Sequence, residues 1–150
     1  MASYQESTYI ARIVEHAFIS ELTGEMIQNR NRKIDVLETL MGDSFGYDYV
    51  MVDLAKPNQP LYVQVKTCSG KAPSWPIKPL LMSNPLMEIL VIFYKFVNGK
   101  PQLVYRVFDK QHRTAYLQSY NPNTPVKNFR VPRKELLPKM DIVALCNHWF

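Results

Sequence analysis

Two short stretches rich in β-branched and aromatic residues, Tyr47 to Leu54 and Leu61 to Thr67, flank Lys56-Pro57-Asn58-Gln59. Residues of that type on both sides of a turn-forming tetrapeptide predict an antiparallel hairpin. Upstream, Ile10, Ile13, Val14, Ala17, Phe18 and Leu22 recur at helical spacing. Ser3-x-x-Glu6 is a candidate capping box for that helix and Gly24 a candidate stop. The chain therefore opens with an amphipathic helix and then builds sheet.

Further along, Glu88 to Val97 and Gln102 to Phe108 flank Asn98-Gly99, a strong short-range hairpin signal. Between the two hairpins, Pro73, Pro76, Pro79 and Pro85 surround Trp75 and predict an irregular surface excursion over residues 71 to 85. Ile34 to Leu40 fits a short helix or a strand equally well. Residues 109 to 131 are polar and broken by Pro122 and Pro125, while Arg133 to Leu137 and Asp141 to Trp149 read as short helical pieces closing the domain. The expected architecture is α/β, a mixed and mostly antiparallel sheet of about four strands flanked by helices.

The 150 residues suit one domain, 1–150, long enough to bury roughly two-thirds of the extended surface. Apolar residues at 47% and charged residues at 21% exclude a disordered chain. A net charge of +5 favours polyanionic partners. Cys68 and Cys146 belong to no Cys/His cluster, which argues against structural zinc and for two free thiols. The first residues lack the basic flank and apolar run of a secretion signal, and the longest apolar run is too short to span a bilayer, so the expected location is the cytoplasm, away from the membrane.

Candidate chemistry gathers on the first hairpin. Asp48 shares even parity with Gln64 and Lys66, so a five-residue loop at 55 to 59 would pair 48 with 66 and set all three on one face. A six-residue loop would pair 48 with 67 and turn Asp48 to the opposite face. Asp48, Gln64 and the Val65 backbone carbonyl form an oxygen set suited to Mg2+ or Mn2+, with Glu15 on the helix completing it directly or through water. Lys66 would orient a metal-activated water and stabilise the transition state at phosphorus.

Gly46-Tyr47-Asp48 followed by Gln64-Val65-Lys66-Thr67, with Glu15 on the preceding helix, resembles the PD-(D/E)XK nuclease superfamily. Its restriction-endonuclease-like core is shared by many restriction enzymes and Holliday-junction resolvases. The Gln-x-Lys variant is similar to that of restriction enzymes acting on modified DNA. The resemblance spans about residues 8 to 108 and implies a metal-dependent endonuclease with Glu15, Asp48, Gln64 and Lys66 as catalytic residues. Two departures stand out: no proline precedes Asp48, and Gln64 is neutral where many members carry a carboxylate. The partner implied is nucleic acid, in the first instance DNA. A domain this small would recognise shape, or borrow specificity from a partner or from a second copy in a homodimer.

Each residue also has a plainer reading: Asp48 as a turn former, Lys66 as an edge lysine, Glu15 in a salt bridge, and His16 as a solvated neighbour pointing away. Arg30, Arg32 and Lys33, and Lys71, Trp75 and Lys78 in the proline-rich stretch, are candidate nucleic-acid contacts, although a tryptophan in such a loop more often seals the core. Arg130, Arg133 and Lys134 form a further basic group. The competing function is a catalytically inactive nuclease-like domain that binds nucleic acid or protein.

Overall fold

A computed structural model of the chain describes residues 4–39, 47–119 and 128–150. Helix α1 (Tyr4–Gly24) leads into a π-helical turn, Glu25–Asn29. Gly24 is therefore not the stop expected from the sequence. It keeps helical angles, and the Glu25 carboxylate holds the extra turn by accepting from Asn29 Nδ2 at 2.6 Å and Arg30 Nε at 3.1 Å. The chain leaves the helix at Asn31, whose φ of 50° is the left-handed geometry asparagine tolerates.

Five strands follow in one mixed sheet of order β1-β2-β3-β5-β6: β1 (Ile34–Glu38), β2 (Tyr49–Asp53), β3 (Leu61–Cys68), β5 (Met87–Val97) and β6 (Lys100–Phe108). The count exceeds the expected four because Ile34 to Leu40 contributes an edge strand paired antiparallel to β2. All neighbours are antiparallel except β3 and β5, which run parallel. The β5–β6 turn is Asn98-Gly99 with φ of 51° and 75°, the paired positive angles of a hairpin turn whose twist matches its strands.

The proline-rich stretch is ordered rather than irregular. Ser74–Ile77 forms β4, which pairs antiparallel with β7 (Phe129–Pro132) in a separate two-stranded ribbon, and Pro79–Ser83 forms helix α2. Residues 109 to 131, read as broken polar chain, contain helix α3 (Lys110–Gln118), capped by the Asp109 side chain accepting the His112 N–H at 2.9 Å. A 3-10 turn, Arg133–Glu135, and helix α4 (Ile142–Trp149) end the described chain as the sequence predicts. Asp141 caps α4 by accepting from Ala144 N at 2.8 Å.

The sheet is buried on both faces. On one side Val14, Phe18, Leu22 and Met26 of α1 and its π-turn, with Leu145 and Cys146 of α4, cover Tyr49, Met51, Val63, Val65, Leu90, Ile92, Tyr105 and Val107. On the other, the β4–β7 ribbon, α2 and α3 cover Cys68, Ile89, Val91 and Phe108. Odd residues of β3 thus face α1, and even ones face the ribbon. Cys68 and Cys146 are both free and sit on opposite faces, and burial pushes the Cys146 thiol up to about 11. Among the described residues no helix is long and apolar enough to cross a membrane.

Candidate functional site

Asp48 lies just before β2 begins, and four contacts fix its backbone and carboxylate. Its N–H donates to the Val63 carbonyl at 2.8 Å, its carbonyl accepts the Thr39 N–H at 2.9 Å and Thr39 Oγ1 at 3.3 Å, and its Oδ2 accepts the Val65 N–H at 2.7 Å. Val63 is also the register partner of Tyr49, so two residues oppose one. This is the arrangement of a β-bulge, which bends a strand and re-aims a side chain. The register Tyr49↔Val63 and Met51↔Leu61 replaces the expected pairing of 48 with 66. The observed register keeps the even parity of the expected one, so even positions of β2 and β3 share a face, and the hydrogen bond to Val65 is what brings the Asp48 carboxylate to β3. Gly46 lies outside the described residues.

Beyond Val63, residues 64 to 68 of β3 pair with β5 only, among the described residues. Tyr62 N–H reaches across to Leu86 O on the β5 side, whereas the Val63 carbonyl and the Val65 N–H point towards β2. Since N–H and C=O of one residue leave an extended strand on the same side, the Val65 carbonyl also faces the place that Asp48 occupies.

Glu15 approaches from the α1 side. Its Oε2 accepts the Tyr49 hydroxyl at 3.0 Å, one residue from Asp48. Burial raises the Glu15 carboxyl above its ordinary range; the Tyr49 hydrogen bond and Arg12 oppose this, while Asp48 and Glu38 add to it. Glu38 stands opposite Tyr49 on β1 and is answered by Arg12 at 3.3 Å, an exposed pair. Burial, Glu15, Glu38 and Asp48 together push the Tyr49 phenol far above its ordinary value and keep it a donor. Three carboxylates, Glu15, Glu38 and Asp48, therefore share one electrostatic neighbourhood.

Gln64 and Lys66 project from the opposite face. They pair with Ile89 and Val91, which pack under the ribbon, whereas Val63 and Val65 pack against α1. Gln64 is buried at 7% exposure and Lys66 half-buried. The structure thus unites Gln64 with Lys66 on the ribbon face and sets Glu15 on the α1 face, with the Asp48 carboxylate on the Val65 backbone between them. Among the described residues no three His, Cys, Asp or Glu side chains gather in a way that could hold a metal ion. The expected set is of another kind, since only two of its four oxygen donors are carboxylates.

Three of the candidate nucleic-acid contacts are spent inside the fold. Arg30 Nη2 donates to Asn147 Oδ1 at 2.6 Å and to Val143 O at 3.1 Å, tying the π-turn to α4. Arg32 pairs with the buried Asp53 and donates to Phe150 O at 3.3 Å. Trp75 is buried against Phe93 at a centroid distance of 5.8 Å, the core-sealing role. Lys33, Lys71 and Lys78 are exposed, as is His16.

Sequence reasoning missed Glu38, Tyr49 and Thr39. Glu38 was hidden because its segment could not be assigned, and only the β1–β2 pairing sets it opposite Tyr49. Tyr49 reads in the sequence as one more β-forming aromatic; its adjacency to Asp48 was the available signal. Comparison of the chain with known protein families, with curated proteins and with solved structures finds no match in any of the three.

Proposed function

We propose that the chain is a Mg2+- or Mn2+-dependent nuclease that hydrolyses phosphodiester bonds of nucleic acid, built on a restriction-endonuclease-like core. One observation carries the reading: a bulge holds the Asp48 carboxylate against the Val65 N–H, beside Glu15 and adjoining the Gln64-Val65-Lys66 strand. A turn-forming aspartate would need no contact with the neighbouring strand.

The residues fit a hard divalent cation in kind. Carboxylate, amide and main-chain oxygens are the donors magnesium and manganese prefer, and mutual repulsion between Glu15 and Asp48 is what a cation would relieve. Asp48 and the Val65 carbonyl would hold the ion at the sheet edge, with Glu15 from the α1 side and Gln64 from the other. When bound, such an ion neutralises charge on a scissile phosphate and acidifies a coordinated water. Lys66, on the same face as Gln64, would hold its ammonium against the phosphate oxygens, and Tyr49 would orient Glu15.

A second reading is favoured by the separation of Gln64 and Lys66 from Glu15 and by the neutral Gln64: the same scaffold would then bind nucleic acid without turnover. Nicking of supercoiled plasmid in Mg2+ or Mn2+ tests both. The nuclease reading requires nicking by the wild type and loss of at least 100-fold in Asp48→Asn and Lys66→Ala, with far-UV spectra unchanged. Duplex binding without nicking would establish the second reading; wild-type rates in both variants would refute the proposed site.

A further inference from the structure

The antiparallel pairing of β4 with β7 joins two segments some fifty positions apart, residues 69–79 and 128–134. Together they hold Lys71, Lys78, Arg130, Arg133 and Lys134 and no aspartate or glutamate. Glu135 closes the 3-10 turn that Arg133 and Lys134 begin, so the ribbon and its flanks carry +4 of the chain's net +5, and the 13 basic residues elsewhere nearly balance the 12 acidic ones there.

We infer that the β4–β7 ribbon is a docking surface for the phosphate backbone of double-helical nucleic acid, read without regard to sequence. The choice of nucleic acid among polyanions rests on the nuclease reading above. Lys71, Lys78, Arg130 and Lys134 are exposed. Arg133 instead braces the ribbon from within. Its guanidinium lies 4.9 Å from the Phe93 ring centroid and 5.9 Å from that of Trp75, and donates to Gly70 O at 3.2 Å and Ala72 O at 3.4 Å. It thereby locks the β3–β4 connection to the end of β7, while Tyr116 of α3 supports the other side by donating to Arg130 O at 2.9 Å. The cations are thus carried on a braced frame rather than a loose loop.

One observation selects a duplex. The ribbon's aromatic side chains, Trp75 and Phe129, are buried at 6% and 7% exposure, so it offers cations without the exposed rings on which single-stranded bases stack. The ribbon also covers the sheet face from which Gln64 and Lys66 project, sharing its core cluster with Ile89 and Val91, their register partners.

The test is duplex binding by fluorescence anisotropy in EDTA, where no metal-dependent cleavage intervenes, across 50 to 300 mM salt. Each duplex phosphate neutralised contributes about 0.9 to the slope of log affinity against log salt. Replacing Lys71, Lys78, Arg130 and Lys134 together by glutamine should lower that slope by about 3.6 and weaken binding at least tenfold at 100 mM salt. The pair Lys78→Gln with Lys134→Gln, should the fourfold variant not fold, should lower it by about 2. A control carrying Lys95→Gln, Lys100→Gln, Lys110→Gln and Lys139→Gln makes the same change in net charge at exposed positions elsewhere and should bind within threefold of wild type. Equal losses in the two fourfold variants would overturn the inference, as would absence of duplex binding by the wild type, or tighter binding to single strands, acidic polypeptide or phosphatidylglycerol vesicles. Ribbon-dependent binding by a protein that nicks no plasmid would sustain this inference and sink the nuclease reading; nicking and binding unchanged in the ribbon variant would do the reverse.

Discussion

Glu88, at the start of β5, should make the protein lose stability as pH rises from about 4.5 to about 7, and Glu88→Gln should abolish that loss. Burial pushes its carboxyl up to about 7 from an ordinary 4.5, with Arg113 offsetting part of the effect and Asp109 adding to it. The Trp149 indole N–H beside the same carboxylate offsets a further part of the effect. Between pH 4.5 and 7 the native carboxyl keeps its proton while the unfolded one has ionised, so the native state binds more protons and stability falls with rising pH. The contribution is complete below pH 4.5 and gone above pH 7. A shift of about 2.5 units at 1.36 kcal/mol each corresponds to about 3 kcal/mol.

Urea unfolding of wild type and Glu88→Gln at pH 4.5, 6, 7 and 8 reads this directly. With a slope of about 2 kcal/mol per molar urea, the variant's midpoint should gain about 1.5 M on the wild type between the extremes, with the gain concentrated between pH 5 and 7. A constant offset from replacing the hydroxyl by an amide does not matter, because only the pH dependence of the difference counts. A difference that stays flat across the range would refute the reasoning, and so would a Glu88 carboxyl carbon that titrates near 4.5 by NMR in the folded wild type.

Two further outcomes follow from the site and its surroundings. Arg32→Ala leaves Asp53, 2% exposed, as a buried carboxylate without its guanidinium and should cost about 3 to 5 kcal/mol by denaturant unfolding, while duplex affinity in the variant's folded range stays unchanged because Arg32 faces inward. Glu15→Gln removes a carboxylate whose proton affinity folding raises, so it should raise the thermal midpoint at pH 7 in EDTA and lose that advantage at pH 4, where the wild-type carboxyl is itself protonated; a gain of the same size at both pH values would contradict the assigned direction.

Signals confined to a few neighbouring residues were legible before the fold was known. The apolar stripe of α1 and the Asn98-Gly99 turn needed no information from elsewhere in the chain, and both stand as read. The β4–β7 ribbon was not legible, because Pro76 and Pro132 break the strand signal of both segments and each strand finds its partner some fifty residues away. Gly24 misled for a related reason. Its intrinsic preference to end a helix is worth less than the side-chain contacts that Glu25 makes with Asn29 and Arg30, and these become visible only once the turn has formed.

The same distinction governs the candidate site. Even parity placed Gln64 and Lys66 together, as they are, since β3 is regular over that stretch. It kept the right parity for Asp48 but not its partner, since the β2–β3 ladder ends at Tyr49↔Val63, and it could not place Glu15, whose face depends on α1 covering the odd residues of β3. With Glu15 on one side of the sheet and Lys66 on the other, no single ion can lie over a face and serve both. It can do so only at the edge, where β2 has stopped and β3 runs on, and the Asp48 carboxylate stands at that point with its backbone tied to Thr39 and Val63. If these residues act as proposed, catalysis would depend on that local geometry as much as on any charge, and a change that extended regular pairing of β2 with β3 past Val63 would dismantle the proposed site while leaving every proposed ligand in the sequence.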